Sequence, residues 1–519
     1  MNELLGLSAT RLAALIRRRE VSSREVVEAH IARIEEVNPV LNALVEDRFA
    51  MARVEADAAD RRVLREAADS LPPFLGVPCT IKEAIALRGM PFTAGHVAMA
   101  GRIADRDAPA VQRLRRAGFI PLGVSNASEL CMWMETDNRL YGRTRNPYDP
   151  GRTAGGSSGG EGALVGAGAS PVGLGADIGG SIRMPAFFNG VFGHKATGGL
   201  IPNSGNYPIA HGDALRMMTT GPLTRRVEDL WPLIRLLAGP DAGDPECRAM
   251  SLGDPSTVDP GSLNVLVVEH NGLFPVHPEL RSALHRAASH LKSLGATISV
   301  EEIPEFRDSI LIWASMLSEA GGPTYAERLG LHGPVSAAWA TLLFLVGLSP
   351  YTLPSIGLLW LERLAASRPA ERHRCVEQGR RLREDLRRRL GPRGVMLFPP
   401  YPEPAPPHNR PLIPPFQWLY TGIINALEMP AVSVPMGLGS DGLPLGVQVV
   451  ATHANDHLCV AVAEELERAF GGWVMPGPLR PCKPVATRTS HPALTARRPP
   501  RGTGGFSGPT RAENPIDPR

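Results

Sequence analysis

The stretch from Gly155 to Arg183 restricts the fold more than any other part of the chain. Its 29 positions hold eleven glycines and four serines, so neighbouring backbone segments can approach one another very closely. Three functional interpretations compete: a phosphate-binding loop, a nucleophile elbow, and a turn whose N–H groups bind an oxyanion. A fourth, purely structural interpretation is that small residues only let helices pack tightly.

Two of these interpretations fail on local sequence. A phosphate loop requires the Lys-Ser/Thr pair that ends a Walker motif, or G-x-G-x-x-G after a strand, and this stretch has neither. The pattern Gly155-x-Ser157-x-Gly159 matches a nucleophile elbow, which must follow directly on a buried strand. Residues 146–154 (Asn-Pro-Tyr-Asp-Pro-Gly-Arg-Thr-Ala) are typical of a turn. We therefore interpret the elbow match as accidental.

The second half of the stretch favours an anion-binding turn. Residues 171–175 predict a short strand, and residues 183–188 predict the start of a helix. Ile178, Gly179, Gly180 and Ser181 would then lie at a strand-to-helix junction, where free N–H groups can bind an oxyanion. Tight packing of small residues explains the same composition, and composition alone leaves both interpretations open.

Lys82 is a candidate general base. It ends an apolar, strand-like run within residues 76–83 (Gly-Val-Pro-Cys-Thr-Ile-Lys-Glu). Burial at a strand end favours the neutral amine, which can accept a proton. The alternative is a lysine that extends along the sheet edge to reach water.

The coarse pattern of elements predicts an α/β protein. Residues 5–19 form an amphipathic pattern, Ser22 and Glu25 form a capping box, and the first 70 or so residues are predicted to be helical. Strands are predicted at 74–77, 119–124, 394–398 and 444–451, and helices at 108–117 and 456–470. The alternation of short apolar runs with helical patterns favours a sheet covered by helices. The proline-rich residues 399–415 predict a stiff loop that leaves a core strand.

Charge and cysteine usage exclude several classes of function. The formal charge of the chain is +3. Residues 483–519 carry a net charge of +5, so the rest of the chain is near −2 and has no excess of positive charge that would bind nucleic acid. Residues 483–519 have no hydrophobic periodicity and are predicted to be a disordered basic tail. The six cysteines form no C-x-x-C pair. We expect no metal, no cofactor and a reducing compartment, and the N-terminus shows no signal peptide.

Residues 333–361 form the most apolar segment of the chain and contain no charged residue. Pro350 and Pro354 interrupt it, so it predicts either a buried helix pair or an interfacial cap that dips into lipid, and not a membrane span. Residues 363–393 follow with eleven arginines against four acidic residues. Such a run is usually a solvated helix face, but beside an apolar patch it also favours anionic lipid.

Three motifs together resemble the amidase signature family. They are Gly-Val-Pro-Cys-Thr-Ile-Lys-Glu at 76–83, Gly-Gly-Ser-Ser-Gly-Gly-Glu-Gly at 155–162 and Asp-Ile-Gly-Gly-Ser-Ile-Arg at 177–183. The resemblance runs from about Leu4 to Leu479, and the order and spacing of the motifs make it specific. It implies one domain at 4–481, including the helical segment 4–70, with a mixed central β-sheet flanked by helices on both faces (α/β/α).

The resemblance also implies a Ser-Ser-Lys triad. Ser181 matches the nucleophile, Ser157 the bridging serine whose peptide bond is cis in the family, and Lys82 the base. The backbone amides of Ile178, Gly179, Gly180 and Ser181 match the oxyanion hole. Cys131 and Met134 match positions that contact substrate.

Within the family, four further segments look like the vertebrate fatty-acid amide hydrolases, particularly their second form. They are residues 131–133, 142–149, 184–190 and 455–458. This implies hydrolysis of fatty-acid amides (N-acylethanolamines and primary fatty amides) through an acyl-enzyme, with a lipid amide as substrate. It also implies a cytoplasmic or peripherally membrane-associated enzyme, with membrane contact through 333–361 and a homodimer as its assembly.

Two alternatives remain at this point. A glutamine-dependent amidotransferase subunit shares the triad, but it commonly has Gln where this chain has Met184 and lacks a pair like Phe187-Phe188. A catalytically silent lipid-binding relative would keep the fold and lose the chemistry. The presence of all three triad positions disfavours this second alternative.

Overall fold

A mixed β-sheet of eleven strands organises the part of the chain that the computed structural model describes, residues 2–365 and 369–479. The predicted tail at 483–519 lies outside these residues. Two further strands, β4 and β5, form a separate pair. In chain order the strands are β1 Leu44–Asp47, β2 Pro78–Lys82, β3 Ile120–Ser125, β4 Asp137–Asn138, β5 Gly142–Arg143, β6 Val172–Asp177, β7 Phe192–Lys195, β8 Thr219–Thr224, β9 Asn264–Val267, β10 Thr297–Val300, β11 Gly394–Phe398, β12 Ala431–Leu438 and β13 Pro444–Ala451.

Helices are distributed along the whole described chain. They are α1 Ala9–Arg17, α2 Ser23–Leu41, α3 Phe49–Arg65, α4 Pro109–Arg116, α5 Gly159–Gly166, α6 Arg183–Phe188, α7 Ala214–Met217, α8 Leu230–Leu237, α9 Pro278–Ser293, α10 Ser309–Glu319, α11 Tyr325–Gly330, α12 Ala337–Leu345, α13 Leu353–Ala365, α14 Pro369–Leu390, α15 Leu419–Ala426 and α16 Asp456–Phe470.

The sheet order is β1-β3-β2-β6-β8-β7-β12-β13-β11-β9-β10, and β4 pairs with β5 separately. β2 runs parallel to both of its neighbours, β3 and β6, whereas β6 and β8 are antiparallel. Strands β2, β3, β6, β8, β11 and β13 are buried along their full length. Burial on both faces explains the near-continuous apolar sequences of β11 and β13. This mixed sheet flanked by helices confirms the predicted α/β/α class.

Most predicted elements are present, several with identical bounds. The strands at 394–398 and 444–451 and the helices at 183–188 and 456–470 are confirmed, and residues 399–415 leave β11 as an irregular segment. The capping box is confirmed, because the Ser22 hydroxyl accepts from the Glu25 N–H and the Glu25 carboxylate accepts from the Ser22 N–H. The first helix begins only at Ala9, since Ser8 caps it.

The predicted strand at 74–77 is wrong. This segment is a buried turn, in which the N–H groups of Phe74 and Gly76 donate to the carbonyls of Ala117 and Gly118. Gly76 has φ +83°, a conformation that breaks an extended strand. The strand therefore begins only at Pro78.

The helical prediction for the first 70 residues overlooks β1. Asn42, in the left-handed conformation, ends α2, and the Asn38 side-chain oxygen accepts from the N–H groups of Ala43 and Leu44 at 2.8 Å each. The chain then extends and pairs antiparallel with β3 at the sheet edge. Tertiary pairing of these four residues overrides the helical surroundings.

Residues 324–362, which we call the cap, carry α11, α12 and most of α13. They have a small hydrophobic cluster of their own, which includes Leu329, Ala340 and Leu359. The segment 333–361 does hold two helices, α12 and most of α13, but several of its large apolar side chains are exposed, so the alternative of a buried helix pair is not confirmed. Among the described residues, no helix combines the length and apolarity that a membrane span requires.

We expect Gly76→Ala to lower the free energy of unfolding by about 2–4 kcal/mol. A Cβ at Gly76 would lie 2.6 Å from the Ser23 side chain, and its φ of +83° is unfavourable for alanine. Gly89→Ala is the matched control, because Gly89 has φ +81° and open space around its Cα. Urea unfolding measures the free energy of unfolding of both variants. Equal losses in the two variants would contradict close packing at Gly76.

Candidate active site

Lys82 lies at the centre of the candidate site as the last residue of β2. Its side chain is fully buried, and its Nζ donates a hydrogen bond to Ser157 Oγ at 2.7 Å. This geometry excludes the alternative in which the lysine extends to water. The structure thus brings together two of the three residues predicted for the triad.

Ser157 lies in the turn that precedes α5, and the Gly156–Ser157 peptide bond is cis. The Ser157 carbonyl accepts from the Ser128 N–H at 3.2 Å. The neighbouring Ser158 N–H donates to the Ser181 carbonyl at 3.3 Å, so the two glycine-serine segments lie side by side. No buried strand precedes Ser157 directly, which agrees with the interpretation of the elbow match as accidental.

Ser181 occupies the predicted strand-to-helix junction, since β6 ends at Asp177 and α6 begins at Arg183. The residue is 6% exposed, the largest exposure among the three predicted triad residues. The close-packing interpretation also holds here, because a Cβ on Gly162 of α5 would lie 2.9 Å from Pro185 of α6. The catalytic roles of Lys82, Ser157 and Ser181 stay predictions.

A buried ion pair fixes the junction. The Arg183 Nε and Nη2 donate to the two Asp177 oxygens at 3.0 and 3.1 Å, and both side chains are fully buried. Arg183 also donates to Gln448 and to Asn425. Burial alone would raise the pKa of the Asp177 carboxyl, but the Arg183 charge and the hydrogen bonds hold that pKa well below its usual range.

The Asp177 carboxylate also determines which backbone N–H groups of the junction lack a hydrogen-bond acceptor. The Gly180 N–H donates to Asp177 Oδ1 at 2.6 Å, so its amide already has an acceptor here, and its role in the oxyanion hole stays a prediction. Within the described chain, the N–H groups of Ile178, Gly179 and Ser181 have no protein acceptor. These three amides can bind a developing negative charge.

The two predicted substrate contacts, Cys131 and Met134, have different hydrogen-bond partners. The Cys131 thiol donates to the Tyr207 carbonyl at 3.8 Å and lies near Lys82 and Ser157; burial raises the pKa of this thiol, and Lys82 opposes the rise. Met134 is buried, and its sulfur accepts a hydrogen bond from the Tyr401 hydroxyl at 3.6 Å. Cys131 is therefore close to Lys82 and Ser157, and the substrate contacts stay predictions for both Cys131 and Met134.

Two tryptophans that sequence analysis overlooked border the junction. Trp313 Nε1 donates to the Ile178 carbonyl at 2.8 Å, and the Trp313 ring meets Trp418 edge to face with centroids 4.8 Å apart. A Cβ on Gly179 would lie 3.0 Å from the Trp418 ring. Both residues lie more than 130 positions from the junction in sequence, so no local pattern marks them.

Comparison with known proteins agrees with this geometry. A family model described as Amidase matches residues 25–460. The chain belongs to the amidase family. This amidase is 44% identical to fatty-acid amide hydrolase 2-A of Danio rerio, over 92% of its own length and 91% of the relative's. It is 43% identical to fatty-acid amide hydrolase 2 of Homo sapiens, with 91% of each chain covered.

The fold of this amidase also matches a solved structure. The structure of 6-aminohexanoate cyclic dimer hydrolase complexed with substrate superposes with a TM-score of 0.76 at 30% sequence identity. The match covers 90% of this chain and 97% of that one.

We expect Asp177→Asn to lower the free energy of unfolding by about 3–5 kcal/mol, because it leaves the Arg183 charge buried without its partner. Because the pKa of Asp177 is lowered by folding, this carboxylate stabilises the fold fully above the unfolded carboxyl pKa of about 3.9. That contribution to the free energy of unfolding is lost as the pH falls from there through the pKa of the folded state. Asp57→Asn is the control: it breaks a half-exposed pair with Arg24, which contributes at most about 1 kcal/mol. Urea unfolding at pH 7 measures both variants. Equal losses in their free energies of unfolding would contradict the special role of Asp177.

Proposed function

We propose that this amidase is a serine hydrolase that cleaves fatty-acid amides to a fatty acid and an amine. The observation that carries the proposal is the buried 2.7 Å hydrogen bond from Lys82 Nζ to Ser157 Oγ, next to a junction with three free amides. The relatives named fatty-acid amide hydrolase 2, at 43–44% identity, support the substrate class.

In the proposed mechanism, Ser181 Oγ attacks the amide carbon while Ser157 takes its proton and passes one to Lys82. The free amides of Ile178, Gly179 and Ser181 stabilise the oxyanion of the tetrahedral intermediate. Ser157 then gives a proton to the leaving nitrogen and takes one back from Lys82, the C–N bond breaks, and an acyl-enzyme forms on Ser181. Water hydrolyses the acyl-enzyme by the same relay. Protonation of the nitrogen is essential, since an amine anion is a very poor leaving group.

The surface of the cap supports a lipid substrate. Trp339 is 59% exposed and Leu345 is 76% exposed. Further large apolar side chains of the cap are also exposed: Leu342, Val346, Leu348, Leu353, Trp360 and Leu361. An exposed apolar surface of this extent is typical of a site that contacts membrane or another protein. We propose that the cap contacts the membrane peripherally and admits the lipid amide.

Several arginines of the arginine-rich helix α14 already have carboxylate partners within the protein. Several arginines form ion pairs with carboxylates of the same helix, such as Arg387 with Glu384 and Arg388 with Asp385. Others pair with carboxylates elsewhere, as Arg383 does with Glu428. The exposed apolar side chains of the cap therefore carry the proposed membrane contact.

The alternatives have less support. Met184 and the pair Phe187-Phe188 are buried apolar residues of α6, in contrast to the polar residue common in amidotransferase subunits. The hydrogen bond between Lys82 and Ser157 disfavours a catalytically silent relative. The homodimer stays a prediction.

The function is tested with an alkyl fluorophosphonate, followed by mass spectrometry of the modified peptide. We expect labelling on Ser181, together with hydrolysis of a long-chain fatty amide, and we expect Ser181→Ala to lose both by at least about a thousandfold. Ser158→Ala is the matched control and keeps the label on Ser181. Turnover near that of the parent enzyme in folded Ser181→Ala protein would remove Ser181 from the nucleophile role.

We expect the double substitution of Trp339 and Leu345 by Glu to weaken liposome binding by tenfold or more. Burial of each side chain contributes on the order of 2 kcal/mol to partitioning. Flotation with vesicles measures binding. Leu64→Glu is the control, because Leu64 is 67% exposed on α3, outside the cap. Unchanged binding of the double variant would show that the cap is not the membrane contact.

A further inference from the structure

The three-residue turn Glu129–Cys131 contacts both the cap and the candidate active site. Leu130 and Cys131 have φ values of +50° and +58°, so two consecutive non-glycine residues are in the left-handed region. Such conformations are unfavourable and persist only where surrounding contacts hold them in place. The contacts that hold this turn come from two different parts of the molecule.

The Glu129 side chain bonds to the cap alone. Its buried Oε2 accepts from the Thr352 N–H at 2.9 Å, from the Thr352 hydroxyl at 2.8 Å and from the Ser355 hydroxyl. The Tyr325 hydroxyl in turn donates to Ser355 Oγ at 2.8 Å. Among the described residues, nothing else bonds to this carboxylate: Glu129 Oε1 is buried and has no partner. These charge-assisted bonds join the turn to the start of α13.

The next two residues face in different directions. Leu130 is fully buried and belongs to the hydrophobic cluster of the cap, together with Leu329 and Ile356. Cys131 is linked to Ser157 through the backbone, because the Cys131 N–H donates to the Ser128 carbonyl at 2.9 Å and the Ser128 N–H donates to the Ser157 carbonyl at 3.2 Å; its thiol lies near Lys82 and Ser157. The cap therefore holds two residues of the turn, and the third lies at the centre where the chemistry is proposed.

We propose that Glu129 is a positioning residue that determines selectivity for long acyl chains. It fixes the cap helices relative to Cys131, so that an acyl chain held beneath the cap brings its amide carbon to Ser181. A short amide does not reach the cap and does not depend on this link. The inference rests on the proposed fatty-amide hydrolysis and adds a residue that governs which amides are used.

The test compares a long-chain with a short, water-soluble amide in the full-length enzyme. We expect Glu129→Gln to raise the KM for the long-chain amide about tenfold, as the loss of charge-assisted bonds predicts, with kcat changed by less than about twofold. On the short amide, kcat and KM stay within about twofold. The combined variant Thr352→Val and Ser355→Ala removes two of the three donors from the cap side, leaving only the Thr352 N–H, and produces the same change in KM.

Glu362→Gln is the matched control. Its carboxylate accepts from the N–H groups of Tyr325 and Ala326, entirely within the cap, so its loss weakens the cap without severing the link to Cys131. The long-to-short selectivity of this variant stays at the parent value. Thermal unfolding of every variant shows whether the fold is retained.

The possible results of these experiments distinguish a failure of the Glu129 proposal from a failure of the proposed function. Parent-like selectivity in folded Glu129→Gln, or in the Thr352/Ser355 variant if Glu129→Gln does not fold, overturns the role of Glu129. Equal losses of kcat on both amides also overturn it, because they indicate a merely structural residue. Failure of the parent enzyme to react with the fluorophosphonate or to cleave any amide overturns the proposed function instead.

Discussion

The buried ion pair between Asp177 and Arg183 is the interaction on which the site depends. Asp177 ends β6 and Arg183 begins α6, so the pair closes the turn that carries Ser181. Through Asn425 and Gln448 the same network reaches α15 and β13. A buried charge pair stabilises only when its remaining donors and acceptors are satisfied, and here the surrounding side chains and amides do this. The geometry of the free amides is therefore set by four elements at once.

Small residues allow the rest of the site to assemble around this turn. All eight residues of α5 are buried, and four of them are glycine. A Cβ on Gly160 would lie 2.5 Å from the Asn126 backbone, so only glycine lets α5 approach the loop after β3 so closely. This approach brings Ser157 within hydrogen-bond distance of Lys82 on the neighbouring strand. The glycine-serine composition thus has both a packing role and a positioning role.

Elements whose signals are local could be predicted from sequence, and those that depend on distant partners could not. The capping box at Ser22 and the strand at 394–398 depend on a few neighbouring residues, and both are present. Strand β1 depends on pairing with β3, about 80 residues away, and the N–H of Gly180 is occupied because of how the Asp177 carboxylate is oriented. The Glu129 carboxylate accepts a hydrogen bond from Thr352, which is 223 residues away in the sequence. The motifs predict the triad positions, but only the fold shows what surrounds them.

The separate hydrophobic cluster of the cap has a consequence for evolution and for engineering. Because its buried side chains pack largely on one another, this unit can change in sequence without disturbing the close packing of the central sheet. Segments of this kind open at a lower free energy than the core does. A scaffold that keeps one catalytic sheet and exchanges such a module can acquire a new substrate range while its chemistry is preserved.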